Sequence, residues 1–445
     1  MSAKEIIKAP KGMHDILPED WPVFQWVFDK AEEIASFYGF LPMQTPHLER
    51  SDLFTRTVGE STDIVEKQMF ALKSRGSEQS VLRPEETAPL MRAYLEHGLH
   101  IRPQPVMLFA KGSFFRYEQP QKGRFREFHQ VDLEAIGDED AVIDALVIKT
   151  FMVLLEELGL KSTTVFINTI GDPECRSAYR KELVAYYRKK INYLCKDCRR
   201  RLKTNPLRLL DCKELGCLEL KRSAPQMIDY LCPACKKHFK EVLEYLDANN
   251  AAYIIDHYLV RGLDYYSRTV FEIFFSEIPS EQEEKTEVAE VKEQELKDAS
   301  FSLLGGGRYD YLADTLAGRH IPAVGAAMGV ERIVSLIKEK NLFAKKEKPA
   351  KVALIQIGAV AKSRAISLIE EFRKAKIPLL HSVSKENLKN QLTLANKMNI
   401  IYALILGHKE ALDNTIMVRD MNSGAQELIS QAKLIDYIKK NCDYK

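Results

Sequence analysis

The stretch that most constrains this chain is 112–137, GSFFRYEQPQKGRFREFHQVDLEAIG. Two alternating runs flank a loop rich in Pro, Gln, Lys and Gly, a pattern that predicts a strand–loop–strand hairpin. In the second run Arg126, Phe128, Gln130, Asp132 and Glu134 share one face, and Val131, Leu133 and Ala135 share the other. In the first run Arg116 and Glu118 fall on one face, with Phe115 and Tyr117 opposite. One face of the hairpin therefore offers guanidinium groups, an aromatic ring, an amide and carboxylates. That set suits an anionic, ring-bearing ligand, with arginines for phosphate and polar groups to read the rest. The same pattern also fits the solvated outer face of an ordinary sheet.

At 445 residues the chain exceeds what one core accommodates, so two or three domains are expected. With 45% hydrophobic and 29% charged residues, the composition is that of a soluble globular protein. No apolar run approaches the roughly 20 residues that span a bilayer. The opening MSAKEIIKAPKGMHDILPED has no apolar block of the signal-peptide kind, which places the expected location in the cytoplasm. A net charge of +2 neither demands nor excludes nucleic acid, but 188–203 packs eight basic residues around one acid.

Taken in order, helical spacing from Trp26 to about Tyr38 predicts an amphipathic helix, followed by one short strand that Pro46 ends or confines to an edge. Residues 51–70 show little periodicity and are expected to form a loop. A strand ending at Pro84 leads to a helix capped by Thr87 or a nearby acid. Glu85 and Glu86 there either favour the helix dipole or hold a substrate ammonium. A helix is expected over 140–158 and a strand over 164–169.

Residues 172–250 are basic, cysteine-rich and helical, the composition of an inserted domain. Two pairs, Cys195-x-x-Cys198 and Cys232-x-x-Cys235, are spaced for a structural zinc with four thiolates, with Cys212 and Cys217 between them; reduced buried thiols are the alternative. Cys175 and Cys442 carry no partner pattern. Residues 280–298 have the composition of a solvated charged segment. FSLL at 301–304 reads as a strand, and the three glycines that follow it allow close backbone approach to a ligand, without the Lys-Ser/Thr of a nucleoside-triphosphate P-loop. The lysine-rich 338–351 is the clearest boundary, and beyond it strands and helices alternate as in a compact α/β domain. The divisions expected are 1–171 and 251–337 for one discontinuous core, 172–250 for the insertion, 338–351 for a linker and 352–445 for the last domain.

With these segments in hand, the chain resembles the bacterial-type histidyl-tRNA synthetases, which are class II aminoacyl-tRNA synthetases. FRYE…GRFREF is similar to class motif 2 and GVERI to motif 3. LVRGLDYYSRTVFEI and GGGRYD are similar to the two histidine-specific signatures. The resemblance implies an α+β fold: an antiparallel-sheet catalytic core with a helical insertion, and a C-terminal α/β anticodon-binding domain. It implies ligation of L-histidine to histidine tRNA through an adenylate, with ATP and Mg2+, by a homodimer. Carried over residue by residue, Glu85 and Thr87 match the positions holding the substrate amino group, and Glu86 between them contributes backbone. Gln130, Glu134, Tyr265 and Tyr266 match the histidine pocket. Arg116 and Arg261 match the catalytic arginines on either side of the α-phosphate, each also touching the amino acid. Phe128 matches the ring stacked on adenine, Arg124 and Arg332 match phosphate contacts, and Gln121 matches a contact to the tRNA acceptor end. The closest rival is a non-catalytic paralogue of the same fold, the regulatory subunit of ATP phosphoribosyltransferase. The arginine set and the C-terminal α/β domain argue against it, and RGLDYY argues against a synthetase for another amino acid.

Overall fold

The alternating stretch forms its hairpin. In a computed structural model, which describes residues 6–59, 62–72, 79–120, 123–275, 302–344, 350–384 and 387–442, the hairpin strands pair from Val106 opposite Ile136 to Phe115 opposite Glu127. The chain divides into two compact units, Met1–Ala344 and Lys345–Lys445. In the first, the strands in chain order are β1 (Leu41–Pro42), β2 (Leu48–Arg50), β3 (Phe70–Leu72), β4 (Ser80–Leu82), β5 (Val106–Phe115) and β6 (Glu127–Ile136). They continue with β7 (Thr163–Thr169), β8 (Tyr253–Ile255), β9 (Ser267–Phe275), β10 (Ser302–Arg308) and β11 (Ala323–Gly329). Eight form one sheet in the order β1-β5-β6-β11-β10-β9-β7-β8, and β2, β4 and β3 form a small second one. The six central strands of the large sheet are antiparallel. Strands β1 and β8 lie parallel to their neighbours at the two edges, so the expected antiparallel core carries a parallel rim.

Among the described residues, the α-helices of this unit are α1 (Trp21–Phe37), α2 (Ser51–Thr57), α3 (Thr87–Glu96), α4 (Ala141–Glu157), α5 (Pro173–Arg188), α6 (Lys196–Thr204), α7 (Leu215–Lys221), α8 (Pro233–Ala248), α9 (Leu312–Ala317) and α10 (Val330–Glu339). No helix among the described residues is long and apolar enough to cross a membrane.

Because side chains alternate across a strand, the large sheet has two chemically distinct faces. On one, Phe109, Val131, Leu133, Phe271, Ile273 and Val324 bury with residues of α1, α4 and α10 in one apolar core. On the other, the register sets Gly325 beside Glu134, Ala327 beside Asp132 and Gly329 beside Gln130. Gly305 and Gly307 of β10 continue that bare floor. The hairpin face carrying Gln130, Asp132 and Glu134 is therefore interior: Asp132 is 1% and Glu134 0% exposed, which rules out a solvated outer face.

Arg308 closes β10 on the apolar side and locks α4 to the sheet. Its Nη2 donates to Asp144 Oδ2 at 2.5 Å and its Nη1 to Asp310 Oδ1 at 3.2 Å. Further donors reach the carbonyls of Asp138 and Asp140, so a guanidinium with 0% exposure has its hydrogen bonds met.

Three local expectations change. The segment after α1 is two short strands rather than one, because Pro42 lies in β1 at the sheet edge, where a missing donor costs nothing. Residues 51–57, read as loop, form α2, whose Leu53 and Phe54 are buried. The triple glycine lies inside β10 rather than after it. The charged segment 280–298 lies outside the described residues.

The insertion has its own small core, in which Tyr179, Leu183, Tyr187, Leu202 and Leu209 surround five buried cysteines. The second unit contains β12 (Val352–Gln356), β13 (Leu379–His381), β14 (Tyr402–Leu406), β15 (Thr415–Asp420) and β16 (Gln426–Ser430) in the order β13-β12-β14-β15-β16. The crossover helices Ala359–Lys374 and Leu388–Lys397 follow the expected pattern. Strand β16 and the helix Gln431–Cys442 extend the domain beyond the last strand read from the sequence.

Replacing Arg308 by Met leaves Asp144 buried without its guanidinium partner and Asp310 with only Arg268, at 3.7 Å, and is expected to destabilise the core by about 3–5 kcal/mol. Denaturant titration followed by circular dichroism measures this; an unshifted midpoint would show that the cluster contributes nothing to the fold.

Candidate active site

Helix α3 begins beneath the bare face of the sheet, and its first turn organises the acidic end of the site. Glu85, just ahead of the helix, accepts from the amides of Thr87 at 2.9 Å and Ala88 at 3.0 Å, which satisfies orphan N–H groups of the first turn. The Tyr265 hydroxyl also donates to Glu85, at 3.3 Å. Thr87 Oγ1 donates to Glu134 Oε1 at 2.5 Å, and the Tyr309 hydroxyl donates to Glu134 Oε2 at 2.5 Å. The rings of Tyr265 and Tyr266 lie 4.7 Å apart, and Tyr309 packs edge-on against Tyr265 at 5.8 Å. Glu85, Thr87, Glu134, Tyr265 and Tyr266 thus meet in one network, with Gln130 four residues from Glu134 on the same strand face.

Glycine makes the network possible. A Cβ at Gly325 would stand 1.5 Å from Glu134 Oε2, and one at Gly305 would stand 2.3 Å from a guanidinium nitrogen of Arg261. The glycines of β10 and β11 admit the chain's own charged side chains onto the sheet.

Burial governs the protonation of the acids. It pushes Glu134 up to about 8, against the lowering effect of its Thr87 and Tyr309 hydrogen bonds. It likewise raises Glu86 to about 7, with the Arg83 charge opposing. Glu85 is raised by burial, and Asp132 is raised well above the carboxylate range by burial and then by the neighbouring Glu86, Glu134 and Glu85. The Glu86 side chain turns away from the network to Thr45 Oγ1, at 3.0 Å, and to a buried ion pair with Arg83 at 2.9 Å.

Arg116, Arg124 and Arg332 gather at the other end, and Arg261 lies over Gly305 of β10. Arg116 follows β5; its amide continues the ladder to Arg126 and its Nε donates to the Pro84 carbonyl at 2.8 Å. Its guanidinium lies 5.2 Å from the Phe128 ring centroid, and its charge is felt by Glu85. Arg332, at the start of α10, is held by the carbonyls of Ser302 at 2.5 Å and Gly123 at 3.4 Å, within electrostatic reach of Arg124 and Arg116. Arg124 is half exposed and pairs with Glu118 at 3.6 Å. Arg261 pairs with Glu272 and lies 6.0 Å from the Tyr266 ring. Gln121 lies outside the described residues.

Three residues of the site were not singled out from the sequence: Tyr309, Arg83 and Asp132. Tyr309 sits within GGGRYD and Asp132 on the polar face of the hairpin, so a signal existed for both. Among the described residues, both Asp132 oxygens and Gln130 Oε1 are buried without a hydrogen-bond partner.

The cysteine pairs fall apart from one another. Cys195 and Cys198 gather with Cys212 and Cys217, whereas Cys232 and Cys235 gather with Asp172 and Cys175. The single four-thiolate set expected from the two pairs is corrected, and Cys175 does have partners.

A six-stranded antiparallel sheet, backed by helices on one face and carrying acids and arginines on the other, is the catalytic-core fold of a class II aminoacyl-tRNA synthetase. Residues 12–333 match the family model for histidyl-tRNA synthetase, and 351–441 match that for an anticodon binding domain. A histidine–tRNA ligase of Dehalococcoides mccartyi is 40% identical over 433 residues, 97% of this chain and 99% of the relative. One of Pelotomaculum thermopropionicum is 39% identical over 431 residues, 97% of each chain. The crystal structure of apo histidyl-tRNA synthetase from S. aureus superposes with a TM-score of 0.76 at 31% identity, covering 98% of this chain and 100% of that one. The chain belongs to the histidyl-tRNA synthetase family.

The raised Glu134 carboxyl has a definite sign in stability. The folded protein holds its proton up to about pH 8, whereas the unfolded chain releases it near 4.5. Its contribution is full below 4.5 and is lost as pH rises through 8. Glu134→Gln, which cannot ionise, is expected to melt above the unmutated, ligand-free protein at pH 8, with the gap closing toward pH 5. Differential scanning fluorimetry across that range measures it; a gap independent of pH would contradict the assignment.

Proposed function

We propose that the protein joins L-histidine to histidine tRNA in two steps, through a histidyl-adenylate formed from ATP with release of pyrophosphate. The observation that carries this is the buried Glu134 carboxyl, held by Thr87 and Tyr309 beside Tyr265 and Tyr266, next to a group of arginines. Imidazole offers one donor and one acceptor nitrogen, and a carboxyl facing phenol hydroxyls reads both. Such a pocket rejects isosteres lacking those bonds by about 10⁴ or more, because its polar groups are left unpaired.

The substrate carboxylate, with a pKa of about 3.5, is already ionised at neutral pH and needs no general base. It attacks the α-phosphorus in line, and the protein's task is positioning and charge stabilisation. Arg116 and Arg261 take the two sides of the α-phosphate, Phe128 stacks on adenine, and Arg124 and Arg332 hold the remaining phosphates. The nucleotide enters as its magnesium complex. In the second step the terminal ribose hydroxyl of tRNA attacks the adenylate carbonyl, an adenylate phosphate oxygen receives its proton, and the bond from the carbonyl carbon to phosphate oxygen breaks to release AMP.

The unpartnered oxygens of Asp132 and Gln130 call for a hydrogen-bond donor, and a cationic one would offset the burial that keeps Asp132 protonated. We assign to them, with Glu85 and Thr87, the α-ammonium group of the amino acid. The second unit reads the anticodon, and the family resemblance assigns Gln121 a contact to the tRNA acceptor end. The protein works in the cytoplasm as a homodimer; Phe37, at the end of α1, and Leu41, in the edge strand β1, are 84% and 56% exposed and offer apolar surface to a second copy. The full arginine set disfavours a regulatory, non-catalytic role.

Histidine-dependent exchange of labelled pyrophosphate into ATP tests the reading directly. Glu134→Ala is expected to lower exchange by at least about 10³-fold, and near-normal exchange would remove Glu134 from the pocket. Asp132→Asn is expected to raise KM for histidine by about 10- to 100-fold, the worth of a charge-assisted hydrogen bond, with a smaller change in kcat. An unchanged KM would place the ammonium elsewhere.

A further inference from the structure

The insertion contains two groups of four ligand atoms, each group lying within 4.8 Å of itself throughout. We propose that these are two structural zinc centres, one held by Cys195, Cys198, Cys212 and Cys217, the other by Asp172, Cys175, Cys232 and Cys235. Tetrahedral zinc with Zn–S near 2.3 Å sets its sulfurs about 3.8 Å apart, and a carboxylate oxygen about 3.5 Å from each sulfur. Cys195 Sγ and Cys212 Sγ lie 3.9 Å apart, and Asp172 Oδ2 lies 3.4 Å from Cys232 Sγ and 3.3 Å from Cys235 Sγ.

The surroundings of the two centres repeat each other. Cys195 is the N-cap of α6 and Cys232 the N-cap of α8. In each, the first sulfur of Cys-x-x-Cys accepts the amide of the second cysteine, at 3.4 Å. The first cysteine's own amide then donates to a sulfur from a different element, Cys217 Sγ at 3.4 Å in one centre and Cys175 Sγ at 3.0 Å in the other. Helix N-termini and amide donors aimed at sulfur stabilise thiolate, the ligand form. Asp172-Pro-Glu-Cys175 has the same layout as Cys232-Pro-Ala-Cys235, with aspartate in the place of the first cysteine, and Asp172 caps α5 as Cys232 caps α8. Zinc accepts such an oxygen in a thiolate-rich set.

Size supplies the reason. The insertion's own core is small and is built largely around cysteines, and a core of that size is ordinarily stapled by metal or disulfide. The seven cysteines of the insertion form no disulfide, which leaves metal. The first centre ties α6 to α7 and the segment before it. The second joins the starts of α5 and α8, the helices by which the chain enters and leaves the insertion. Each thiol gives its proton to solvent as it binds, so binding favours the folded, metal-loaded form.

Elemental analysis of the full chain, made in zinc-supplemented culture and purified without chelator, is expected to find two zinc ions per chain. Cys212→Ser and Cys175→Ser should each remove one, and Asp172→Cys should keep both. Cobalt exchanged into the unmutated protein should show thiolate charge-transfer absorption, increased in the Asp172→Cys variant by its additional thiolate. Zero or one zinc in the unmutated chain, or iron in its place, overturns the assignment whatever the variants do. Metal content is read independently of histidine activation, so its failure leaves the proposed activity standing.

Discussion

A carboxyl group without access to water, Glu134 lying on the backbone of Gly325, sets the terms for one whole face of this protein. A buried carboxylate is costly unless its oxygens are met. The partners come from distant parts of the chain: Thr87 from the first turn of α3, and Tyr309 from just beyond β10. Each requires its element to arrive at one height above the sheet, and the glycines of β10 and β11 leave the volume in which they converge. The result is a site preset for a polar ligand, in which Glu85, Asp132 and Glu134 are buried close together, with Glu86 turned aside to Arg83. That is locally unfavourable for folding, as functional sites commonly are, and the apolar core on the opposite face of the sheet supplies the compensating stability.

Strand and helix geometry explains why the motifs mix scaffold and chemistry. In GGGRYD, Gly305 and Gly307 floor the site while Arg308, one residue on, points through to Asp144 and fastens α4. In GVERI, Glu331 reaches back to accept the His129 amide at 2.9 Å and pairs with His129 Nδ1 at 2.7 Å. Its neighbour Arg332 turns instead to the carbonyls of Ser302 and Gly123. Opposite parity along a strand, or a rotation of about 100° along a helix, gives adjacent residues different tasks. A short conserved-looking word in sequence therefore does not mean that every letter is catalytic.

Periodicity made the hairpin, α3, α4 and most of the last domain readable in advance, because these elements carry strong alternation or helical spacing. Periodicity could divide Gln130, Asp132 and Glu134 from Val131 and Leu133, but not decide whether the polar face met water or protein. That depends on α3 and the 261–266 loop, which approach from far away in sequence. Residues 51–57 hid a helix because so short a segment shows barely two turns of pattern. The cysteines were readable as pairs, but spacing along the chain cannot say which pairs meet in space. The Asp172-Pro-Glu-Cys175 tetrad was the available clue, masked by the aspartate.

The insertion bears on the amino-acid site through the loop it touches. Arg176, in the first turn of α5, donates to the Tyr266 carbonyl at 3.0 Å, Arg208 to the Gly262 carbonyl at 2.8 Å, and Asn205 to Asp264 at 2.6 Å. Arg201 and Arg208 also pair with Asp63, at 3.4 and 3.3 Å, in the segment beside that loop. Surface ion pairs alone contribute little, but carbonyl contacts from partly buried arginines fix backbone, and here the backbone is that of Arg261, Tyr265 and Tyr266. Under the proposed function those three side chains meet histidine and phosphate, and catalysis by positioning tolerates only a fraction of an ångström. The loop that carries them owes its rigidity to helices outside the catalytic sheet, and those helices are only as rigid as the small cysteine-lined core that holds them.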